Sequence, residues 1–120
     1  MERLAFTLTV KPERLDDYVA CHRAVWPSVL EAIQKSGIKS YSIFLQSNQL
    51  FFFMEAESVQ GALDYLDGDS EHNRWNREVT GDMFETRLDV GAPPAMQEVF
   101  RYSGDVSSAL SRMIPGRAPD

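Results

Sequence analysis

The chain has 120 residues, the size of one domain around one core, and 43% are hydrophobic, which excludes a disordered segment. No apolar run approaches the length a bilayer requires, and the opening MERLAFTLTV alternates like a strand, without a signal-peptide core. A formal charge of −6 repels nucleic acid and anionic membranes, and the single Cys21, unable to close an intramolecular disulfide, points to a reducing, cytoplasmic setting. A small-molecule enzyme, a binding module and an oligomerisation domain are left.

Residues 4–10, LAFTLTV, put Phe6, Leu8 and Val10 on one face of a first strand. Pro12 suits the opening turn of a helix, and Glu13, Asp16 and Asp17 favour its N-terminal end. Apolar and aromatic residues recur at three- and four-residue steps from Leu15 to Ile33. The spacing predicts a helix over 12–36, capped by Gly37 and kinked or broken at Pro27. KSYSIFLQ (39–46) alternates again, with Tyr41, Ile43 and Leu45 on one face. SNQ (47–49) is a turn and LFFFMEAE (50–57) the returning strand of a hairpin. Ser58 is an N-cap for a second helix over 59–66, which pauses at DGDS (67–70) and resumes over 71–80. GAPP (91–94) is a loop and AMQEVFRY (95–102) a last strand. The order β-α-β-β-α-β is that of the ferredoxin-like split unit, an α+β fold. Residues 1–104 read as one domain, and 105–120 as a tail with weak helical character near Val106–Met113, mobile or docked on a partner. Phe51 and Phe53 alternate with Phe52 and Met54, so both faces of the third strand are apolar, which favours a homodimer packed sheet to sheet.

Tyr18, His22 and Trp26 follow one another at four-residue steps, and Pro27 ends the run. An imidazole exchanges protons readily near neutrality, and Tyr18 lies one turn before it on the same helix face. The plain alternative is that both are half-buried packing residues with satisfied polar tips. Tyr41, among aliphatic neighbours on its strand, is either an ordinary strand aromatic or a phenol pointing into a cavity. HNRWNRE (72–78) sets Trp75 among polar groups. An indole there can stack on the apolar face of a sugar while Asn76, Arg74 and Arg77 bind hydroxyls; the alternative is a solvated helix end with one anchoring indole. His72 reads as a surface residue. No metalloprotease, redox, dinucleotide or phosphate-loop motif is present, and two histidines with one cysteine make a poor metal site. Asp64, Asp67, Asp69 and Glu71 lack calcium-loop spacing and read as a solvated turn.

YVACHRAVWP (18–27), SYSIFL (40–45), RWN (74–76), DMF (82–84) and MQEVF (96–100) together resemble the L-rhamnose mutarotase family, from about Met1 to Tyr102. The resemblance implies a dimeric α+β barrel of ferredoxin-like subunits. It also implies a cofactor-free isomerase, without metal, that interconverts the α and β anomers of a 6-deoxy-L-hexose monosaccharide. By position His22 is similar to the family's proton donor, Tyr18 and Tyr41 to its sugar-contacting tyrosines, and Trp75 to the first of its paired tryptophans. The second tryptophan is replaced by Asn76, Ser28 stands where a glutamate commonly follows Trp-Pro, and Phe84 replaces a proline. The amide of Asn76 keeps L-fucose, with its axial C4 hydroxyl, open beside L-rhamnose. Two other readings stay open: a cofactor-independent monooxygenase on the same barrel, which calls for a larger and more apolar pocket, and a non-catalytic dimeric barrel, which calls for no cavity.

Overall fold

A computed structural model describes residues 1–105 and Ser107; the helical stretch expected near Val106–Met113 lies outside the described residues, Ser107 apart. Three antiparallel strands, β1 (Glu2–Thr9), β2 (Ile38–Gln46) and β3 (Gln49–Ala56), form a sheet in the order β1-β3-β2. Four short helices cover one face: α1 (Leu15–Cys21), α2 (Pro27–Ser36), α3 (Val59–Gly68) and α4 (Ser70–Trp75). This is the α+β arrangement of a ferredoxin-like unit, with the crossover helices on one side of the sheet.

Alternation decides what each face buries. Leu4, Phe6 and Leu8 of β1 and Leu50, Phe52 and Met54 of β3 point to the helices and form the core with Ala32, Ala62, Leu63 and Leu66. Phe6 and Phe52 stand opposite each other in the ladder and stack, ring centroids 4.6 Å apart and 8° from parallel. On the opposite face Phe44 lies tilted against Phe51 and is 58% exposed. No helix among the described residues is long and apolar enough to cross a membrane.

The expected first helix is in fact three pieces. A single 3-10 turn (Pro12–Arg14) leads into α1, the chain leaves helical geometry after His22, and α2 starts at Pro27. Proline forces this, because it has no N–H to donate and its ring meets the carbonyl four residues back. It also drives Trp26 to extended geometry, φ −58° and ψ 135°. Gly37 closes α2 in the left-handed conformation, φ 91°, as its position predicts. Ser58 caps α3 by accepting from the Gly61 N–H, and Asp69 caps α4 by accepting from the His72 N–H. The pause in the second helix narrows to Asp69, the one residue between α3 and α4. Beyond Trp75 the chain runs on as a wider π turn, Asn76–Thr80.

The fourth strand departs from expectation. The backbone of residues 95–102 meets the free edge of β1 through a bridge between Ala95 and Phe6 and a hydrogen bond from the Met96 N–H to the Ala5 carbonyl. Pro93 and Pro94, just before this segment, cannot donate to a ladder. Glu98 holds the segment by ion pairs to Arg3 and Arg101, and Val99 and Phe100 stay exposed.

Candidate active site

A cavity of about 390 Å³ lies between the helices and the covered face of the sheet, within the roughly 300–1,000 Å³ of small-molecule sites. Five residues singled out from sequence line it: Tyr18 and His22 from the end of α1, Tyr41 from β2, Trp75 from α4 and Asn76 from the π turn. Much of the remaining wall is apolar, including Val25, Val29, Ile33, Ile43, Leu63 and Leu88.

The end of α1 sets the imidazole. His22 is its C-cap, and its Nδ1 lies 2.8 Å from the carbonyl oxygen of Tyr18, one turn earlier. A carbonyl only accepts, so Nδ1 carries the hydrogen and Nε2 keeps a bare lone pair. The Cys21 thiol donates to the same carbonyl, at 3.1 Å. The Tyr18 ring packs 4.4 Å from the imidazole, and Trp75 meets it edge-on at 6.2 Å. A backbone partner for the histidine was the mark of a packing residue, yet here it orients a ring that faces open space.

The two phenols remain protonated. Burial pushes the Tyr18 hydroxyl well above the ordinary tyrosine range, with the neighbouring Tyr41 phenol and Cys21 thiol adding to the shift. Burial alone does the same for Tyr41. Among the described residues no protein group bonds either hydroxyl, and no buried polar side-chain atom lacks a partner, so both hydroxyls open onto the cavity.

Trp26 does not line this cavity. It packs edge-on behind Trp75, ring centroids 5.1 Å apart, and carries the Arg74 guanidinium over its own face at 4.4 Å. Arg74 is therefore spent on Trp26 and on ion pairs with Glu71 and Glu78, and Arg77 opens to an outer groove. Neither arginine lines the cavity wall.

His72 corrects the surface placement expected of it: it is half-buried and lines the cavity. One residue changes the reading, since Asp69 caps α4 and turns the i+3 position inward. Burial holds the His72 imidazole below its ordinary pKa, against the pull of Asp69, the Leu66 backbone and Asp67. The unfolded chain thus takes up this proton first, at about pH 6.5, and the stability that neutral His72 contributes is lost as pH falls below that value. Melting temperatures at pH 5, 6 and 7 are expected to fall more steeply toward acid in the native chain than in His72→Leu. Equal slopes would contradict the assignment.

Thr80, Phe84, Leu88, Val90 and Pro93 also line the wall, a place that sequence alone assigned to none of them. Their signal was weak, because Phe84 and Val90 belong to a segment without regular structure; Phe84 is placed by an isolated bridge to Val10.

Residues 3–102 match the model of the family described as L-rhamnose mutarotase. The chain belongs to the L-rhamnose mutarotase family. This mutarotase-family chain is similar to the L-rhamnose mutarotase of Acidiphilium cryptum, with 30% identity over 91 residues covering 75% of this chain and 86% of the relative. It is similar to that of Burkholderia ambifaria, with 32% identity over 77 residues covering 62% and 73%. With the Oceanobacillus iheyensis protein it shares 42% identity over 62 residues, 50% of this chain, and there it spans only 60% of the relative's length. In fold it is similar to the crystal structure of an L-rhamnose mutarotase from Formosa agariphila, with a TM-score of 0.68 and 23% identity over 86% of this chain and all of that one.

Proposed function

We propose that this chain is an isomerase that interconverts the α and β anomers of a 6-deoxy-L-hexose, L-rhamnose before L-fucose. The observation that carries the reading is a shared cavity: His22, with Nε2 bare, faces the same space as two neutral phenols, an indole and an amide. Family membership supports L-rhamnose as the sugar. Mutarotation needs one proton delivered to the ring oxygen and one removed from the anomeric hydroxyl. The C1–O5 bond then breaks, the aldehyde rotates about C1–C2, and the ring recloses on the other carbonyl face. His22 Nε2 first takes a proton from solvent; the resulting imidazolium gives it to the ring oxygen on opening, and the neutral ring takes it back on closing. With Tyr18 held as a phenol, the anomeric proton leaves to a water on opening and returns from it to the new anomeric oxygen on closing, and Tyr18 and Tyr41 serve as donors to sugar oxygens. Trp75 covers one face of the sugar, and Asn76 binds a hydroxyl. The aliphatic wall suits the ring's C–H faces and its methyl group.

The test is anomer exchange of L-rhamnose and of L-fucose followed by saturation-transfer NMR. Native protein is expected to accelerate the first more than the second. No acceleration of either sugar would remove the reading and leave the apolar wall to the monooxygenase alternative.

The reading extends to the assembly. Residues 1–104 form the working domain, set in a cytoplasmic environment, and the chain works as a homodimer. The support is the exposed Phe44 beside half-buried Phe51 and Phe53 on the uncovered sheet face, with exposed Val99 and Phe100 alongside. Light scattering after gel filtration is expected to give twice the 13.6 kDa chain mass, and Phe53→Glu to give the single-chain mass. A native protein of single-chain mass would end the dimer proposal.

A further inference from the structure

One wall of the cavity carries a file of polar groups that the proton chemistry does not use. His72, Asn76 and Thr80 stand four residues apart and all line the cavity. The Thr80 hydroxyl, on a residue only 4% exposed, donates to Asn76 Oδ1 at 3.3 Å, and Asn76 Nδ2 lies 3.5 Å from His72 Nδ1. In a regular helix each four-residue step drifts by roughly 40° around the axis, at about 3.6 residues per turn. The wider π turn takes up this drift and keeps Thr80 beneath Asn76. Gly81 permits that turn, because a Cβ there would collide with the Asn76 carbonyl oxygen.

A carboxamide is nearly symmetric in shape and opposite in hydrogen-bonding sense at its two ends, so its neighbours decide which end faces where. Here both neighbours agree. The Thr80 hydroxyl donates to Oδ1, which turns Nδ2 toward His72 Nδ1, and that contact is a hydrogen bond when Nδ1 is the bare ring nitrogen. Turning the amide over would set two lone pairs, Oδ1 and Nδ1, against each other. One amide hydrogen is committed to His72, and the second is left for the cavity.

We propose that His72 and Thr80 are positioning residues that lock the Asn76 amide, so that it presents one N–H bond to a hydroxyl oxygen of the sugar. The sugar in this statement rests on the mutarotase reading; the lock does not. Both hydrogen bonds are long, so the effect expected is that of one neutral hydrogen bond, about three- to tenfold.

The experiment has two arms. In anomer exchange, Thr80→Val and His72→Leu each raise KM about three- to tenfold with kcat within about twofold. Thr80→Ser, which restores the hydroxyl, keeps the native KM, and Thr80→Val adds nothing in an Asn76→Ala background. Thr80→Val with native KM, or with the same cost in the Asn76→Ala background, overturns the proposal. The second arm uses sugar-free native protein and Thr80→Ser, read by 15N NMR. His72 is expected as the Nε2–H tautomer, and the Asn76 amide hydrogens as protected from exchange. An Nδ1–H tautomer, or an unprotected amide, overturns the lock whatever the sugar. The expected spectra without anomer exchange of any sugar would instead remove the mutarotase reading and leave the lock standing.

Discussion

His22→Ala is expected to slow anomer exchange of L-rhamnose by about 10²–10⁴-fold, the usual worth of one well-placed acid–base group. The size follows from how completely the imidazole is prepared. Its Nδ1 is held by the Tyr18 carbonyl at 2.8 Å, Tyr18 and Trp75 confine the ring on two sides, and Nε2 is the nitrogen left over. Alanine leaves two phenols that stay protonated and His72, whose imidazole burial holds below its ordinary pKa and which stands beside Asn76. His22→Gln distinguishes chemistry from packing, since it keeps a polar side chain of similar reach but cannot carry a proton back and forth. It is expected to be as slow as alanine, with the native melting temperature. Saturation-transfer NMR at fixed sugar concentration reads both variants, and native rates in either one would show that His22 only packs.

The largest loss of stability is expected at Phe52. It is 3% exposed, stacks on Phe6, meets Tyr41 edge-on at 6.5 Å and forms part of the cavity floor. Phe52→Ala removes the ring at the centre of the sheet, and large-to-small changes of this kind cost about 3–5 kcal/mol. Against the roughly 5–15 kcal/mol that holds a domain together, that is about a fifth or more. Thermal melting is expected to move down by ~10 °C or more. Phe51, one residue earlier, lies on the other face beside Phe44. Were that face open to water, Phe51→Ala would cost about 1 kcal/mol, the worth of a half-buried cross-strand aromatic pair. Were a second copy to cover it, the cost would rise toward that of a core residue and vary with protein concentration. The pair of variants thus weighs the two faces of one strand separately.

Period-two alternation in LAFTLTV and KSYSIFLQ made two strands legible, and the SNQ turn with the apolar run LFFFMEAE after it made the third. Ser58 and Gly37 marked helix ends by chemistry that is local, a hydroxyl acceptor and a left-handed φ. Residues 95–102 carry a strand's composition yet make one bridge to β1, after a Pro93-Pro94 pair that cannot donate to a ladder. His72 looked solvent-facing among charged neighbours, and only the Asp69 cap and the π turn put it on the cavity wall.

Residue types, periodicity and the Tyr-x3-His-x3-Trp-Pro run thus determined the order of elements, the two-faced third strand and the names of the groups with proton chemistry. Whether those groups meet was decided by packing across the chain. Tyr18, Tyr41 and Trp75 come from three separate elements, and local spacing cannot say that helix and sheet leave about 390 Å³ between them. The same holds for the hydrogen on His22 Nδ1 and the direction of the Asn76 amide. Each is set by a neighbour in space that accepts or donates, and such a neighbour exists only once the chain has folded.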